Sequence, residues 1–124
     1  MKITKTHVYF WNSFLGNWSK VPQGIKYDGK VFPTAEHIFM YIKAKTFKDK
    51  ESMSLIEQAI SPKDAKGIGR RVKGYKEDVW ESYRINAMYD ALVSRVKCDT
   101  SFREFLVNHS GFTFVEASPY DRIW

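Results

Sequence analysis

The sequence predicts an α+β fold, a predominantly helical single domain over residues 1–124 with a small β component. Apolar residues recur at helical spacing through most of the chain after residue 33. Short runs of β-branched and aromatic residues predict an N-terminal strand, a hairpin and a C-terminal strand. A chain of 124 residues is long enough for one domain with one core.

The first strand is predicted over Thr6–Trp11, and a loop with the sequence N-S-F-L-G-N-W-S-K follows it. Asn17 and Trp18 lie in this loop. An amide beside an indole could bind a base or a ribose by hydrogen bonding and stacking. Such a pair is more often a turn-forming Asn and a Trp that anchors the loop to the core.

The hairpin is predicted over 24–33, where Asp28-Gly29 fits a two-residue type I′ turn between short strands. It leads directly into a helix over 35–47, for which Thr34 is the predicted N-cap. Apolar residues lie nearly all the way round this helix, so most of its surface should be buried. We therefore expect this helix to occupy the centre of the domain.

Two charged residues on the central helix are the first candidates for a functional site. Glu36 and Lys43 are seven residues apart, on one face and about 10 Å apart along the axis, with Met40 between them. A carboxylate and an amine on a buried face are costly unless they are paired or used. Either Glu36 supports the helix N-terminus while Lys43 extends to solvent, or both line a closed site.

Two short helices are predicted after residue 47. The first contains Met53, Leu55, Ile56, Ala59 and Ile60. The second begins with the S-P-K-D sequence, in which Ser61 is the N-cap, Pro62 the first helical residue and Asp64 a reciprocal capping carboxylate. Gly67 and Gly69 are expected to keep this helix short.

The longest helix is predicted over Glu77–Val96. Arg84 is expected on the core-facing side of this helix, near Trp80 and Met88. A core-facing Arg needs an anionic partner, so it is structural if it meets a carboxylate of the protein and functional if it meets a ligand.

The last elements are a short helix with Phe102, Phe105 and Leu106, ending near Asn108, and a strand over Phe112–Val115. The closing sequence E-A-S-P-Y-D-R-I-W contains Glu116, Ser118, Tyr120, Asp121 and Trp124. A Trp at the last position is unusual for a surface tail, so the closing sequence is expected to dock against the core.

Positive charge is concentrated in one segment. The chain has a net charge of +6, and the basic segment Lys63–Lys76 has six Lys or Arg residues against Asp64 alone. This segment suits the phosphates of a nucleotide or of a nucleic-acid backbone, although a solvated basic loop is equally common.

Several classes of function are disfavoured. His7, His37, His109 and Cys98 are too scattered for a metal site, and no metal or cofactor is expected. The chain lacks the phosphate-loop, dinucleotide-binding and G-x-S-x-G motifs. No apolar run predicts a signal peptide or a membrane span, and the single Cys fits a reducing compartment, so a cytoplasmic location is expected, in the host cytoplasm if the protein is viral.

Acid/base and amine chemistry therefore remains, with Glu36, Glu116, Asp121 and Lys43 as the reactive candidates and Asn17, Arg70, Arg84 and several Trp residues as helpers. Paired carboxylates suit cleavage of a glycosidic bond, because positive charge develops on the sugar. A desolvated Lys can also attack an opened sugar aldehyde and form an imine.

A series of motifs resembles the NADAR family, also called YbiA-like. In order, they are F-L-G-N-W, D-G-K-x-F-P-T-A-E-H, Lys43-Ala44, S-P-x-D-A-K-x-x-G-R, V-K-G-Y, Trp80, Arg84, Met88 and V-E-A-S-P-Y-D-R-I-W. The resemblance spans Phe14–Trp124 and implies a compact, mostly helical α+β domain that hydrolyses N-glycosidic bonds. It links the chain to two substrate classes, ADP-ribose attached to guanine in nucleic acid and the phosphorylated ribosylaminouracil intermediates of riboflavin synthesis.

The resemblance also implies roles for individual residues. Glu36, Lys43 and Asp121 are the expected catalytic residues. The expected substrate-binding residues are Asn17, Trp18, Gly69, Arg70, Trp80, Arg84, Glu116, Ser118, Tyr120 and Trp124. Two departures from the family pattern are Ile42, where members usually have Gln, and the chain end at Trp124, where many continue with a Gly-rich stretch.

ADP-ribosyl-guanine in nucleic acid is the favoured substrate, because the basic segment suits a polyanion. An ADP-ribosyltransferase toxin would then be the functional counterpart of the protein. A binding module that recognises ADP-ribose or nucleic acid without cleaving it is the alternative of another class, but such a module has no need of a buried amine.

Overall fold

The computed structural model describes residues 1–11 and 13–117. Its helices are α1 (Ala35–Thr46), α2 (Lys50–Gln58), α3 (Pro62–Arg70), α4 (Glu77–Cys98) and α5 (Thr100–Asn108). Its strands are β1 (Lys2–Ile3), β2 (His7–Phe10), β3 (Ile25–Tyr27), β4 (Lys30–Phe32) and β5 (Thr113–Glu116). The predicted α+β fold, mainly helical with a small β component, is confirmed.

The strands form two small sheets. One has the order β1-β2-β5, with β2 and β5 parallel and His7 opposite Thr113. The other is the β3-β4 hairpin, in which Asp28 and Gly29 have φ values of 52° and 73°. Positive φ at both central residues is what a type I′ turn requires, so the predicted turn is confirmed. The short strand β1 was not predicted.

Helix α1 lies at the centre of the domain and contacts α2, α3 and α4. The side-chain oxygen of Thr34 accepts a hydrogen bond from the backbone N–H of His37, which confirms the predicted N-cap. Ile38, Tyr41 and Ala44 are buried in the main core. The expectation that most of this helix is buried is therefore confirmed.

The two following helices differ in part from the prediction. Helix α2 ends at Gln58, so Ile60 lies beyond it and is 88% exposed. The predicted start of helix α3 is confirmed for Ser61 as N-cap, whose hydroxyl accepts a hydrogen bond from the Asp64 backbone N–H at 3.1 Å, and for Pro62 as the first helical residue. The reciprocal role of the Asp64 carboxylate stays a prediction. Helix α3 is short, as predicted, with nine residues, although it continues through Gly67 and Gly69 and ends at Arg70.

Arg84 on α4 also differs from the expectation. Its side chain is 53% exposed and pairs with Glu81 one turn earlier, with an Nη2–Oε2 distance of 3.5 Å. Its predicted core-facing position is wrong: Arg84 lies on the same helical side as the buried Trp80 and Ala87, but residues 81–86 between them are all exposed.

The expected docking of the closing sequence onto the core concerns residues 118–124, which lie outside the described residues. Within the described ranges, no helix has the length and apolar character needed to cross a membrane.

Candidate active site

The candidate site is built on one face of α1. Glu36 lies in the first turn of this helix and is 7% exposed, Met40 is buried one turn later, and Lys43 is half-buried in the last turn. The clean N-cap at Thr34 fixes where the helix begins, and therefore which residues lie on this face. The predicted placement of Glu36 and Lys43 on one mostly buried face is confirmed.

The environment of Glu36 favours the protonated carboxyl. Burial, with a smaller contribution from the negative charge of Glu116, raises its pKa from 4.5 to about 7. The positive charges of Lys66 and Arg70 act in the opposite direction and do not cancel the effect of burial. A carboxyl with a pKa near neutrality can both donate and accept a proton at physiological pH.

The environment of Lys43 combines two opposing effects. Its Nζ lies 4.7 Å from the ring centroid of Tyr75 and 5.9 Å from that of Trp80, an arrangement that favours the ammonium form. Burial, and then repulsion by the charge of Arg70, lower its pKa. The amine is thus held between two aromatic rings, in surroundings that make proton loss easier.

Helix α3 forms the facing wall of the site, and Gly69 permits its close approach. A Cβ atom at position 69 would lie 2.0 Å from the Sδ of Met40, which is far inside van der Waals contact. Lys66 lies three residues, or about one turn, before Gly69, and Arg70 directly follows it. Both cations lower the pKa of Glu36, and Arg70 also lowers the pKa of Lys43. The two cations therefore belong to the same site as the carboxyl and the amine.

The loop that contains Asn17 and Trp18 forms another side of the candidate site. The Asn17 carbonyl accepts a hydrogen bond from the Glu36 backbone N–H at 3.0 Å, and its side-chain Nδ2 lies 3.5 Å from the Sδ of Met88. Trp18 is 47% exposed, with the Nζ of Lys66 5.8 Å from its ring centroid. An exposed indole beside a cation can stack on a base.

His37, next to Glu36, has a structural role. It is fully buried, and its Nδ1 lies 2.7 Å from the Thr34 hydroxyl. Its Nε2 donates to the Ala59 carbonyl at 2.8 Å. Both ring nitrogens are therefore used in joining the start of α1 to the end of α2, and burial lowers the pKa of the ring.

The structure brings together many of the predicted residues, which either contact other residues of the site or act on the charge of Glu36 or Lys43. These are Glu36, Lys43, Asn17, Trp18, Gly69, Arg70, Trp80 and Glu116. The exposed Arg84 pairs with Glu81, and its role in binding substrate stays a prediction. Asp121, Ser118, Tyr120 and Trp124 lie outside the described residues, and their roles stay predictions as well.

Two residues of the site were not singled out by the sequence. Tyr75 contacts the Lys43 amine, and Lys66 lies beside both Trp18 and Glu36. The motifs V-K-G-Y and S-P-x-D-A-K contain these two residues, and their positions in those motifs could have indicated them.

The arrangement combines a near-neutral carboxyl, an amine with a lowered pKa, two cations and exposed aromatic rings. Among the residues that the structure describes, no group of three His, Cys, Asp or Glu is placed to hold a metal ion. These groups can transfer protons, attack an electrophilic carbon and neutralise phosphate charge.

The fold and the site thus define a small α+β domain with acid/base and amine groups on one face of its central helix. The family model for the NADAR domain matches residues 5–124, and the chain belongs to this family. The NMR structure of the E. coli protein YbiA has the same fold, with a TM-score of 0.79, 27% identity, and coverage of 99% of this chain and 73% of that one.

Curated relatives extend the comparison. The E. coli N-glycosidase YbiA is 33% identical over 101 residues, which cover 81% of this chain and 61% of YbiA. The chloroplastic riboflavin biosynthesis protein PYRR of Zea mays is 33% identical over 100 residues, covering 75% of this chain and 16% of PYRR. The chain therefore spans less than two thirds of the length of either relative.

Proposed function

We propose that this protein hydrolyses N-glycosidic bonds and that its preferred substrate is ADP-ribose attached to guanine in nucleic acid. The observation that carries this proposal is the buried Glu36, with a pKa of about 7, on the same helix face as a Lys43 of lowered pKa. The name N-glycosidase, given to the similar E. coli YbiA, supports the reaction class.

Glu36 is the proton donor and acceptor in the proposed mechanism. In its protonated form it gives a proton to the departing base nitrogen as the bond from that nitrogen to the anomeric carbon breaks. The resulting carboxylate later takes a proton from the attacking water. A pKa near neutrality suits both steps, because each protonation state is well populated.

Lys43 is the nucleophile. Its neutral amine forms a bond to the anomeric carbon as the base leaves, and transfer of one amine proton to the ring oxygen opens the sugar to a protonated imine. Water then adds to this carbon, the amine departs, and the sugar is released with a free anomeric hydroxyl. The net reaction consumes one water molecule and regenerates both side chains. Asp121 is the second carboxylate proposed to stabilise positive charge on the sugar.

Lys66 and Arg70 are proposed to hold the diphosphate of the substrate, because both flank Glu36 and Arg70 also lies near Lys43. Trp18 offers an exposed ring for stacking, and the remaining cations of the basic segment would contact a nucleic-acid backbone. An ADP-ribosyltransferase that modifies guanine is the proposed functional counterpart. The proposed location is the cytoplasm, which fits the lone Cys98.

A phosphorylated ribosylaminouracil intermediate of riboflavin synthesis is the second candidate substrate. Similarity to the Zea mays protein named for riboflavin biosynthesis favours it. One or two cations would suffice for a single sugar phosphate, so Lys66 and Arg70 fit either substrate.

The test is release of free ADP-ribose from a DNA oligonucleotide with ADP-ribosylated guanine, run beside the riboflavin intermediate. The Glu36→Gln variant should lose at least about a hundredfold in turnover, the usual scale for a proton-transfer group. The exposed Glu104→Gln variant on α5 is the matched control. Turnover of the small intermediate alone would overturn the nucleic-acid proposal, and turnover of neither would overturn the glycosidase proposal.

A further inference from the structure

Arg95 is a buried cation that lies outside the candidate site. It is on α4 and is 1% exposed, with its Nε 3.1 Å from Oδ2 of Asp99 and its Cζ 3.9 Å from the ring centroid of Phe102. A buried Arg is costly, so its hydrogen-bond donors must be satisfied within the protein. Its position therefore indicates a specific structural task.

The guanidinium binds three consecutive backbone carbonyls of one loop. Its Nη2 donates to the Phe14 carbonyl, and its Nη1 contacts the Leu15 and Gly16 carbonyls at 3.4 Å and 2.9 Å. The planar fork of Arg suits such a convergent set of acceptors, and the single ammonium of Lys does not. Arg95 thus fixes the backbone of residues 14–16 to α4.

The next residue of this loop contacts the site directly. The Asn17 carbonyl accepts a hydrogen bond from the Glu36 N–H at 3.0 Å. Glu36 lies in the first turn of α1, where a backbone N–H has no partner within its own helix. Arg95 and Glu36 are therefore joined by a continuous stretch of four loop residues, 14–17.

Close packing holds only part of this loop. Leu15 is buried with Val8 and Phe102 in a second, smaller core, but Phe14 is 40% exposed. A cavity of about 350 Å³ lies beside the loop, lined by residues that include Phe14, Ser19, Lys20, Arg95 and Asp99. The outer side of the loop borders this cavity, so the hydrogen bonds of Arg95 constrain the loop backbone in addition to the packing of Leu15 and the edge contact of Phe14 with Phe105, whose ring centroids are 5.3 Å apart.

We propose that Arg95 is a positioning residue of the candidate active site, which holds the 14–17 loop against the start of α1 and thereby keeps Glu36 buried. This inference rests on the proposed function for its effect on turnover. The charged groups that act on Glu36 are Lys66 and Arg70 from α3 and Glu116 from β5, and a change at position 95 leaves all three in place. Loosening the loop would instead change the pKa of Glu36 by letting water reach its carboxyl group.

Amide hydrogen exchange tests this inference independently of activity. In Arg95→Lys, the Glu36 amide should exchange at least about tenfold faster, because its acceptor on the loop is released. The His37 amide is the internal control. It is bonded to the Thr34 hydroxyl within the same turn, at 3.2 Å, and its protection should change less than about twofold.

The same variant has two further readouts. The pKa of Glu36, followed by carboxyl ¹³C NMR, should fall from about 7 towards its ordinary value as water reaches the side chain. The inflection of the kcat profile that reports the ionisation of Glu36 should move to lower pH, and kcat should fall by about tenfold to a hundredfold. A merely structural role would lower the stability and leave the pKa and the pH profile unchanged.

Arg103→Lys is the chemically matched control, because this Arg also donates to a backbone carbonyl, that of Val96, at 2.9 Å on the exposed side of α5. If Arg95→Lys does not fold, Arg95→Gln replaces it, because Gln has no charge to bury and its amide cannot donate to all three loop carbonyls. Unchanged Glu36 exchange and pKa in the folded variant would overturn the inference. Absence of turnover in the wild type would overturn the proposed function and leave the exchange result valid.

Discussion

Gly69 on α3 lies against Met40 on α1 so closely that a methyl group at position 69 would stand 2.0 Å from the Met40 sulfur. The contact lies midway along the face that bears Glu36 and Lys43. It sets the distance between α1 and α3, and so brings the cations Lys66 and Arg70 to the carboxyl and the amine. A glycine that resembles a helix breaker in the sequence is thus a packing residue of the site.

Gly69→Ala should therefore destabilise the protein. The added methyl group gains up to about 1 kcal/mol of helix propensity, but overpacking a buried contact costs about 1–3 kcal/mol. We expect a net loss in the free energy of unfolding and a fall in turnover as α3 moves away from α1. Denaturant unfolding and the glycosidase assay measure the two effects.

Gly67→Ala is the matched control on the same helix. A Cβ at position 67 would lie 3.6 Å from the Nη1 of Arg71, an ordinary contact, so this change should stabilise the protein by up to about 1 kcal/mol. Combining Gly69→Ala with Met40→Ala should give a coupling energy of about 0.5–3 kcal/mol. Additive effects would show that the two side chains do not compete for the same space.

The fold and the main features of the site follow from local signals in the sequence. The Thr34 N-cap, the Asp28-Gly29 turn and the Ser61-Pro62 start of α3 are each encoded within a few residues. The helical face shared by Glu36 and Lys43 follows from their spacing alone. For this reason, the elements and the central pair could be predicted without tertiary information.

The remaining features depend on contacts between distant residues. The close approach at Gly69 depends on Met40, 29 positions earlier, and the burial of Arg95 depends on carbonyls about 80 positions away. The spacing of Arg84 from Trp80 and Ala87 places it on the buried side of α4, but residues 81–86 are all exposed, and whether another element covers a given turn does not follow from helical spacing. Backbone acceptors leave no residue-type pattern in the sequence, so the role of Arg95 could not be found there.

Glu36→Gln should stabilise the protein at neutral and alkaline pH while it lowers turnover by at least about a hundredfold. The folded-state pKa of Glu36, about 7, lies above its ordinary 4.5, so the folded state binds more protons between these values. The stability of the wild type must therefore fall as the pH rises through this window. At about 1.4 kcal/mol per pKa unit, Glu36→Gln should gain up to about 3 kcal/mol on the wild type between pH 4.5 and pH 8.

Denaturant unfolding of both proteins at several pH values measures this difference. The exposed Glu104→Gln variant supplies the baseline for loss of one carboxylate. A stability difference between Glu36→Gln and wild type that is constant from pH 4.5 to pH 8 would mean that Glu36 ionises as it does in the unfolded chain.

Arg70→Gln should raise the pKa of both an acidic side chain, Glu36, and a basic one, Lys43. The charge of Arg70 stabilises the Glu36 carboxylate and repels the Lys43 ammonium, so its removal favours the protonated form of each group. NMR titration of the Glu36 carboxyl and the Lys43 side chain measures both. Loss of a charged hydrogen bond to phosphate should also raise KM by about tenfold to a hundredfold. Arg103→Gln on the exposed side of α5 supplies the baseline, and a shift in the same direction in that variant would contradict a local effect of Arg70.

Lys43 should be labelled covalently during turnover. Borohydride reduces an imine to a stable secondary amine, so treatment during the reaction should add the mass of the reduced sugar to Lys43 of the wild type. Lys43→Arg keeps a cation between Tyr75 and Trp80 but cannot form the imine, so it should fold, remain unlabelled and lose at least about a hundredfold in turnover. Lys45→Arg is the control on the same helix, because Lys45 is exposed and pairs with Asp28 at 3.0 Å. Full turnover in Lys43→Arg would eliminate the covalent step and leave Glu36 as the group that activates water directly, since the carboxyl alone can carry both proton transfers.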